Sequence, residues 1–124
     1  MPLLQFDTTL SLSADEKAAL AEFVTDVYTE QMATTAGHVA VSIRAREPAD
    51  LHLGRAVDGP IVFLDADIRR GRSVDRKRRF ALDVMAYFAE TFDVPDANMK
   101  VVFTEHQGEQ MMGVDRVGGE WDGE

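Results

Sequence analysis

The chain contains no cysteine, which excludes disulfides, thiol nucleophiles and cysteine-ligated metal centres. No apolar run approaches the ~20 residues that a membrane-spanning helix needs. The opening residues, 1–10, lack the basic start and long apolar stretch of a secretory signal. A cytoplasmic location with no membrane partner is therefore expected. Lysine is scarce, three residues against ten arginines, and 13 basic residues face 22 acidic ones. The resulting net charge of −9 argues against nucleic acid as a partner. This balance fits either a salt-adapted source or a GC-rich genome. Gly-rich phosphate loops, Ser-His-Asp sets and zinc motifs are missing too. His38, His52 and His106 are scattered without metal-ligand spacing and read as strand-end or loop residues. The six methionines read as core filler.

What remains is an ordinary globular composition. With 124 residues, 45% hydrophobic and 28% charged, the chain fits one domain over 1–124, small enough for oligomerisation to help it. Leu3 to Phe6 reads as a short strand. Leu20, Phe23, Val24, Val27 and Tyr28 then recur at helical spacing on one face. Ser13 stands three residues before Glu16, the spacing of a capping box that opens a helix. Gly37 is the expected stop. From His38 to Arg44 the period changes to two, with Val39, Val41 and Ile43 on one side.

Residues 47–59, with Pro48, Gly54 and Gly59, read as a loop or short hairpin. Ile61 to Ile68 opens with four apolar residues, which predicts a central strand covered on both faces. A second helix is expected from about Ser73 to Phe92, with Phe80, Val84, Phe88 and Phe92 spaced by four and Pro95 ending it. Val101 to Phe103 reads as the last core strand, and Gln110 to Met112 as an edge strand. The tail, 118–124, reads as irregular. The halves, about 1–58 and 59–117, echo each other: Pro2, strand, Ser13, Asp15, Lys17, helix; then Pro60, strand, Ser73, Asp75, Lys77, helix. Two right-handed β-α-β units sharing one mixed four-stranded sheet, with both helices on one face, follow.

Seven of the 13 basic residues fall between Arg69 and Arg79. Arg69 and Arg72 flank Gly71 where a strand gives way to a helix N-terminus, whose free amides attract anions. Such a pair either clamps a carboxylate or forms a solvated turn paired with the chain's many acids. Residues 76–79 read as a solvated helix face. Pro2 adds a second candidate. Aminopeptidases remove Met1 when the next residue is small, which would free a secondary amine at a strand start. An α-amino group titrates near ~8, and burial plus nearby arginines lower that value, making it a general base at neutral pH.

Together these residues carry a resemblance. The chain resembles the tautomerase superfamily, and within it is most similar to the cis-3-chloroacrylic acid dehalogenase group. The resemblance runs through Pro2, Thr25-Asp26, Leu53-Gly54, the stretch Arg69-Arg70-Gly71-Arg72-Ser73-Val74-Asp75, residues 101–105, Gln110-Met111 and Glu120-Trp121. It implies a homotrimer, no cofactor, and a pocket in which Pro2 moves a proton while Arg69 and Arg72 hold a substrate carboxylate. Three of that group's catalytic positions differ. A histidine after the Thr-Asp pair is replaced by Tyr28, a strand tyrosine by Val102, and a water-activating glutamate by Gly113. Glu105, Glu109 or Asp115 could replace the lost carboxylate.

Tyr28 reads either as a pocket hydrogen-bonding group or as a core residue with its hydroxyl at the surface. A proton shuttle and an anion clamp suffice for keto–enol tautomerisation of a small 2-oxo or enol carboxylate, which is the expected activity. Hydratase, dehalogenase or decarboxylase chemistry on a three-carbon acid is the alternative. A catalytically idle member acting in binding or assembly is another.

Overall fold

The computed structural model describes residues 1–121. It contains strand β1 (Leu3–Thr8), helix α1 (Ala14–Gln31), β2 (Ala40–Ala45), β3 (Val62–Arg69), α2 (Val74–Phe92), β4 (Met99–His106) and a small hairpin, β5 (Met112–Gly113) with β6 (Arg116–Val117). The four long strands form one sheet in the order β2-β1-β3-β4. Within each half the strands run parallel, β1 with β2 and β3 with β4, and the halves meet antiparallel at β1 and β3. The expected pair of β-α-β units in a mixed sheet is therefore present. Among the described residues, no helix is long and apolar enough to cross a membrane.

Both helices start where the sequence marks them. The Glu16 amide donates to Ser13 Oγ at 3.1 Å and the Ser13 amide to Glu16 Oε1 at 2.8 Å, a complete capping box. In the second half the Arg76 amide donates to Ser73 Oγ at 3.2 Å. Leu20, Val24 and Tyr28 of α1 meet Phe80, Val84 and Phe88 of α2 over one buried sheet face formed by Leu4, Phe6, Val62, Leu64, Ala66 and Ile68. Tyr28 packs edge-on to Phe80, with ring centres 5.3 Å apart.

Gly37 does not stop α1. The helix ends six residues earlier, at Gln31, and Gly37 lies in a separate single turn, Ala36–His38. The reason is tertiary: the last carbonyls of α1 already have donors. Arg76 NH1 reaches Gln31 O at 2.9 Å, Arg72 reaches Met32 O, and the Thr34 amide reaches Thr29 O at 3.1 Å. With those groups satisfied, a left-handed residue closes the turn, and Ala33 fills it at φ 51°.

A second expectation also changes. β3 is central, yet the helices cover only one of its faces: Val62, Leu64, Ala66 and Ile68 are buried, while Asp65 on the opposite face is exposed. Ile61 lies outside the strand, its carbonyl accepting from Thr8 Oγ1. The last long strand extends further than expected, to His106, and Gln110 sits in a short turn rather than in an edge strand. Residues 47–59 form a loop without strand, and residues 118–121 are irregular; the rest of the expected tail, 122–124, lies outside the described residues. Buried Asn98 holds the long loop: its amide donates to Val57 O at 2.8 Å and Pro60 O at 3.0 Å, and its oxygen accepts from the Val57 amide at 2.8 Å.

Candidate active site

Because the two halves run antiparallel, the starts of β1 and β2 meet the ends of β3 and β4 at one end of the sheet. A cleft of about 540 Å³ opens there, lined by Pro2, His38, Asp67, His106 and Gly113 among others. Pro2 is buried, and its carbonyl accepts from the Ala40 amide at 3.0 Å, which pins the chain start to β2. The Pro2 nitrogen is acylated by Met1 in the chain of 1–124 and carries no proton in that form.

The electrostatics of this end favour a neutral amine. The Met1 amino group is held below the ordinary α-amino range, first by burial, then by the charges of Arg69, Arg72 and Arg116. Tyr28 is 1% exposed; burial raises its phenol, and Arg72 and Arg69 pull partly the other way. It therefore stays a neutral hydrogen-bond donor at physiological pH.

The two arginines lie beneath the C-terminal segment rather than in the cleft lining. Arg69 NH1 donates to Gly119 O at 2.7 Å, while its buried Nε has no partner among the described residues. Arg72, 6% exposed, donates to Met32 O from Nε and NH2 at 3.3 and 3.2 Å. Its guanidinium sits 4.8 Å from the Trp121 ring centre, within cation–π range. Burial lowers its pKa, yet an arginine remains charged. Gly71, at φ 120°, turns the chain under Trp121: a Cβ there would lie 3.5 Å from the indole. Arg70 pairs with Glu120 at 3.2 Å.

Pro2, Tyr28, Arg69 and Arg72 thus converge on one end of the fold, with Pro2 alone of the four in the cleft wall. Of the altered positions, Gly113 lines the cleft, while Val102 faces a separate depression on the open sheet face. Glu105 points to α2 and pairs with Lys77 at 3.3 Å. Glu109 and Asp115 are exposed and absent from the cleft wall.

Sequence reasoning missed three cleft residues. His38, Asp67 and His106 are far apart along the chain; the two histidines read as loop or strand-end groups, and Asp67 lies within the expected strand Ile61 to Ile68 with nothing to single it out. Period-two alternation would have put His106 on the same face as Val102 and Thr104, had the last strand been extended past Phe103. Nothing in the sequence gives the register that sets Asp67 opposite Leu3 on one side and Thr104 on the other.

No protein-family model matches the sequence, and no curated protein matches it. Solved structures do. N1, a member of the cis-3-chloroacrylic acid dehalogenase family, matches with a TM-score of 0.84 at 21% identity, over 95% of this chain and 84% of that one. The FG41 malonate semialdehyde decarboxylase inhibited by 3-bromopropiolate matches with a TM-score of 0.75 at 22% identity, over 89% and 87%. The W0 fused 4-OT wild-type symmetric trimer matches with a TM-score of 0.79 at 22% identity, over 95% and 97%. At these identities the likeness speaks for architecture: the chain has the tautomerase fold, as its resemblance in sequence implies.

Proposed function

We propose that this chain is a cofactor-independent tautomerase that interconverts the enol and keto forms of a small 2-oxo or 2-hydroxydienoate acid. It works in the cytoplasm as a homotrimer, with the Pro2 nitrogen as general acid and base once Met1 is removed. The observation that carries this reading is the environment of the chain start, where burial and three arginines disfavour a charged amine. Removing Met1 moves the free amine one residue inward, to the buried Pro2. A secondary amine there, its ammonium form disfavoured by the same surroundings, can give a proton to the substrate and take one back.

Arg69 and Arg72 supply the positive field for the substrate carboxylate and for the negative charge that develops on the enolate oxygen. Arg69 is the freer of the two, its buried Nε having no partner among the described residues. Tyr28, neutral and buried, supports the oxygen end as a donor. The sheet face left open by the helices, with Leu3, Phe63 and Val102 on it, offers apolar area for other subunits, and one of the matched structures is a symmetric trimer.

Ketonisation of enolpyruvate, followed by absorbance in wild-type and Pro2→Ala proteins, tests the proposal, with intact mass reporting whether Met1 is removed. Turnover that drops by about a hundredfold or more in the variant supports it; undiminished turnover overturns it. The match to a malonate semialdehyde decarboxylase favours one second reading, decarboxylation of a three-carbon 3-oxo acid. Carbon dioxide release from malonate semialdehyde separates the two.

A further inference from the structure

Asp67 is the one carboxylate lining the cleft at Pro2 among the described residues, and both of its oxygens are engaged. Oδ1 lies 2.9 Å from His106 Nε2, and Oδ2 accepts from Gln5 Nε2 at 3.1 Å. Gln5 is itself oriented, because Arg44 NH1 donates to its Oε1 at 3.3 Å and leaves the amide nitrogen for Asp67. The contacts come from β1, β2, β3 and β4 together, so the carboxylate is fixed by the sheet rather than by a loop. With Nε2–H committed to Asp67, the neutral imidazole of His106 keeps its proton-accepting lone pair on Nδ1. A carboxylate that orients a histidine in this way also stabilises the imidazolium formed when the ring takes a proton.

We propose that His106 is the second acid–base group of this active site and that Asp67 is its positioning residue. The inference rests on the tautomerase reading above and adds the partner that a two-site proton transfer requires. In ketonisation, His106 Nδ1 removes the enol O–H proton while the C=C electron pair turns to the carbon. That carbon takes a proton from the Pro2 ammonium, whose N–H electrons return to nitrogen. The oxygen loses one proton and the carbon gains one. The imidazolium then gives up its proton to solvent, and Pro2 regains one from it. One group serves each reacting atom, and no water nucleophile is needed. The place vacated at Gly113 therefore does not leave the cleft without a carboxylate.

The test compares wild type, Pro2→Ala, His106→Ala and Asp67→Asn in enolpyruvate ketonisation, with thermal unfolding recorded for each. The expected result for His106→Ala is a fall in kcat of about a hundredfold or more at nearly constant KM, partly restored by imidazole added to the buffer. Asp67→Asn lowers kcat as well, and adding it to His106→Ala costs little more, because the two act as a unit. A merely structural histidine gives no imidazole rescue and no split between kcat and KM. Turnover that is lost in Pro2→Ala but retained in folded His106→Ala overturns the His106 assignment and leaves the tautomerase reading standing. Absence of ketonisation in the wild type, with Met1 removed, overturns both.

Discussion

Arg72 of the strand-to-helix turn donates two hydrogen bonds to the carbonyl of Met32, at 3.3 and 3.2 Å, and so ties the start of α2 to the end of α1. The Trp121 ring lies against the same guanidinium, its centre 4.8 Å away. One buried guanidinium therefore closes a helix end as well as contributing to the positive field around the chain start. Hydrogen bonds to charged groups contribute about 1.5–3 kcal/mol. Arg72→Lys, which cannot reproduce the fork, is expected to lower stability by about that amount in urea unfolding. A loss that appears in unfolding as well as in turnover separates this anchoring role from any role in substrate binding.

The amine at the chain start carries a pH prediction. Burial and the charges of Arg69, Arg72 and Arg116 all disfavour its ammonium form, so its titration midpoint lies below the ordinary ~8. Because the unfolded chain binds this proton more readily, stability rises with pH between the folded midpoint and ~8 and is flat outside that window. The pH dependence of amine labelling measures the midpoint directly in chains that retain Met1. Arg116→Ala is expected to raise it, and an unchanged midpoint would contradict the assignment of that charge.

Asp7 faces Arg44 and Arg46, each at 2.9 Å, and the Arg44 hydrogen bond above all lowers its pKa. Its contribution is complete above the unfolded value of ~3.9 and is lost as pH falls through the lower folded value. Both arginine side chains are 42% exposed, so solvent screening keeps the size at about 0–1 kcal/mol. Unfolding of Asp7→Asn at about pH 6 and about pH 2 should differ from wild type by that amount in the first case and by almost nothing in the second.

Asn98 is fully buried and holds Val57 and Pro60 by their backbone groups. Asn98→Ala leaves those groups without partners, at about 1–3 kcal/mol for each one left unsatisfied. The expected outcome is a destabilised protein whose loop, 47–59, is cleaved by protease well before the sheet. Equal cleavage rates in variant and wild type would count against the anchor.

Trp121 is the chain's single tryptophan and reports on the segment that covers the arginines. An added Cβ at Gly108 would overlap the carbonyl of Gly119, and one at Gly118 would crowd Met111 O at 2.9 Å. Gly108→Ala is expected to lift the segment, shifting tryptophan emission to the red while far-ultraviolet dichroism stays near that of wild type. Emission that does not move would show that the backbone there yields without releasing Trp121.

Much of the frame could be read directly from the residues. Ser13 with Glu16, and Ser73, mark the helix starts because capping depends on groups three residues apart. Phe80, Val84 and Phe88 mark the buried face because helical period is local. The failures share a different cause. Gly37 is the expected stop of α1, but Arg72 from the turn before α2 and Arg76 from α2 itself already satisfy its last carbonyls. The four apolar residues from Ile61 predict burial on both faces, yet the helices cover only one face of β3, and Phe63 and Asp65 on the other border shallow depressions rimmed by the loop 47–59.

The sequence by itself determined the two β-α-β units, their caps, their apolar faces and the arginine-rich turn, since each depends on contacts within a few residues along the chain. Only the tertiary structure decided which polar groups share a cleft. Asp67 meets His106 across the β3–β4 register, and Gln5 reaches the same carboxylate from β1. Pairing between strands dozens of residues apart is fixed by the packing of the whole sheet, and no local spacing encodes it.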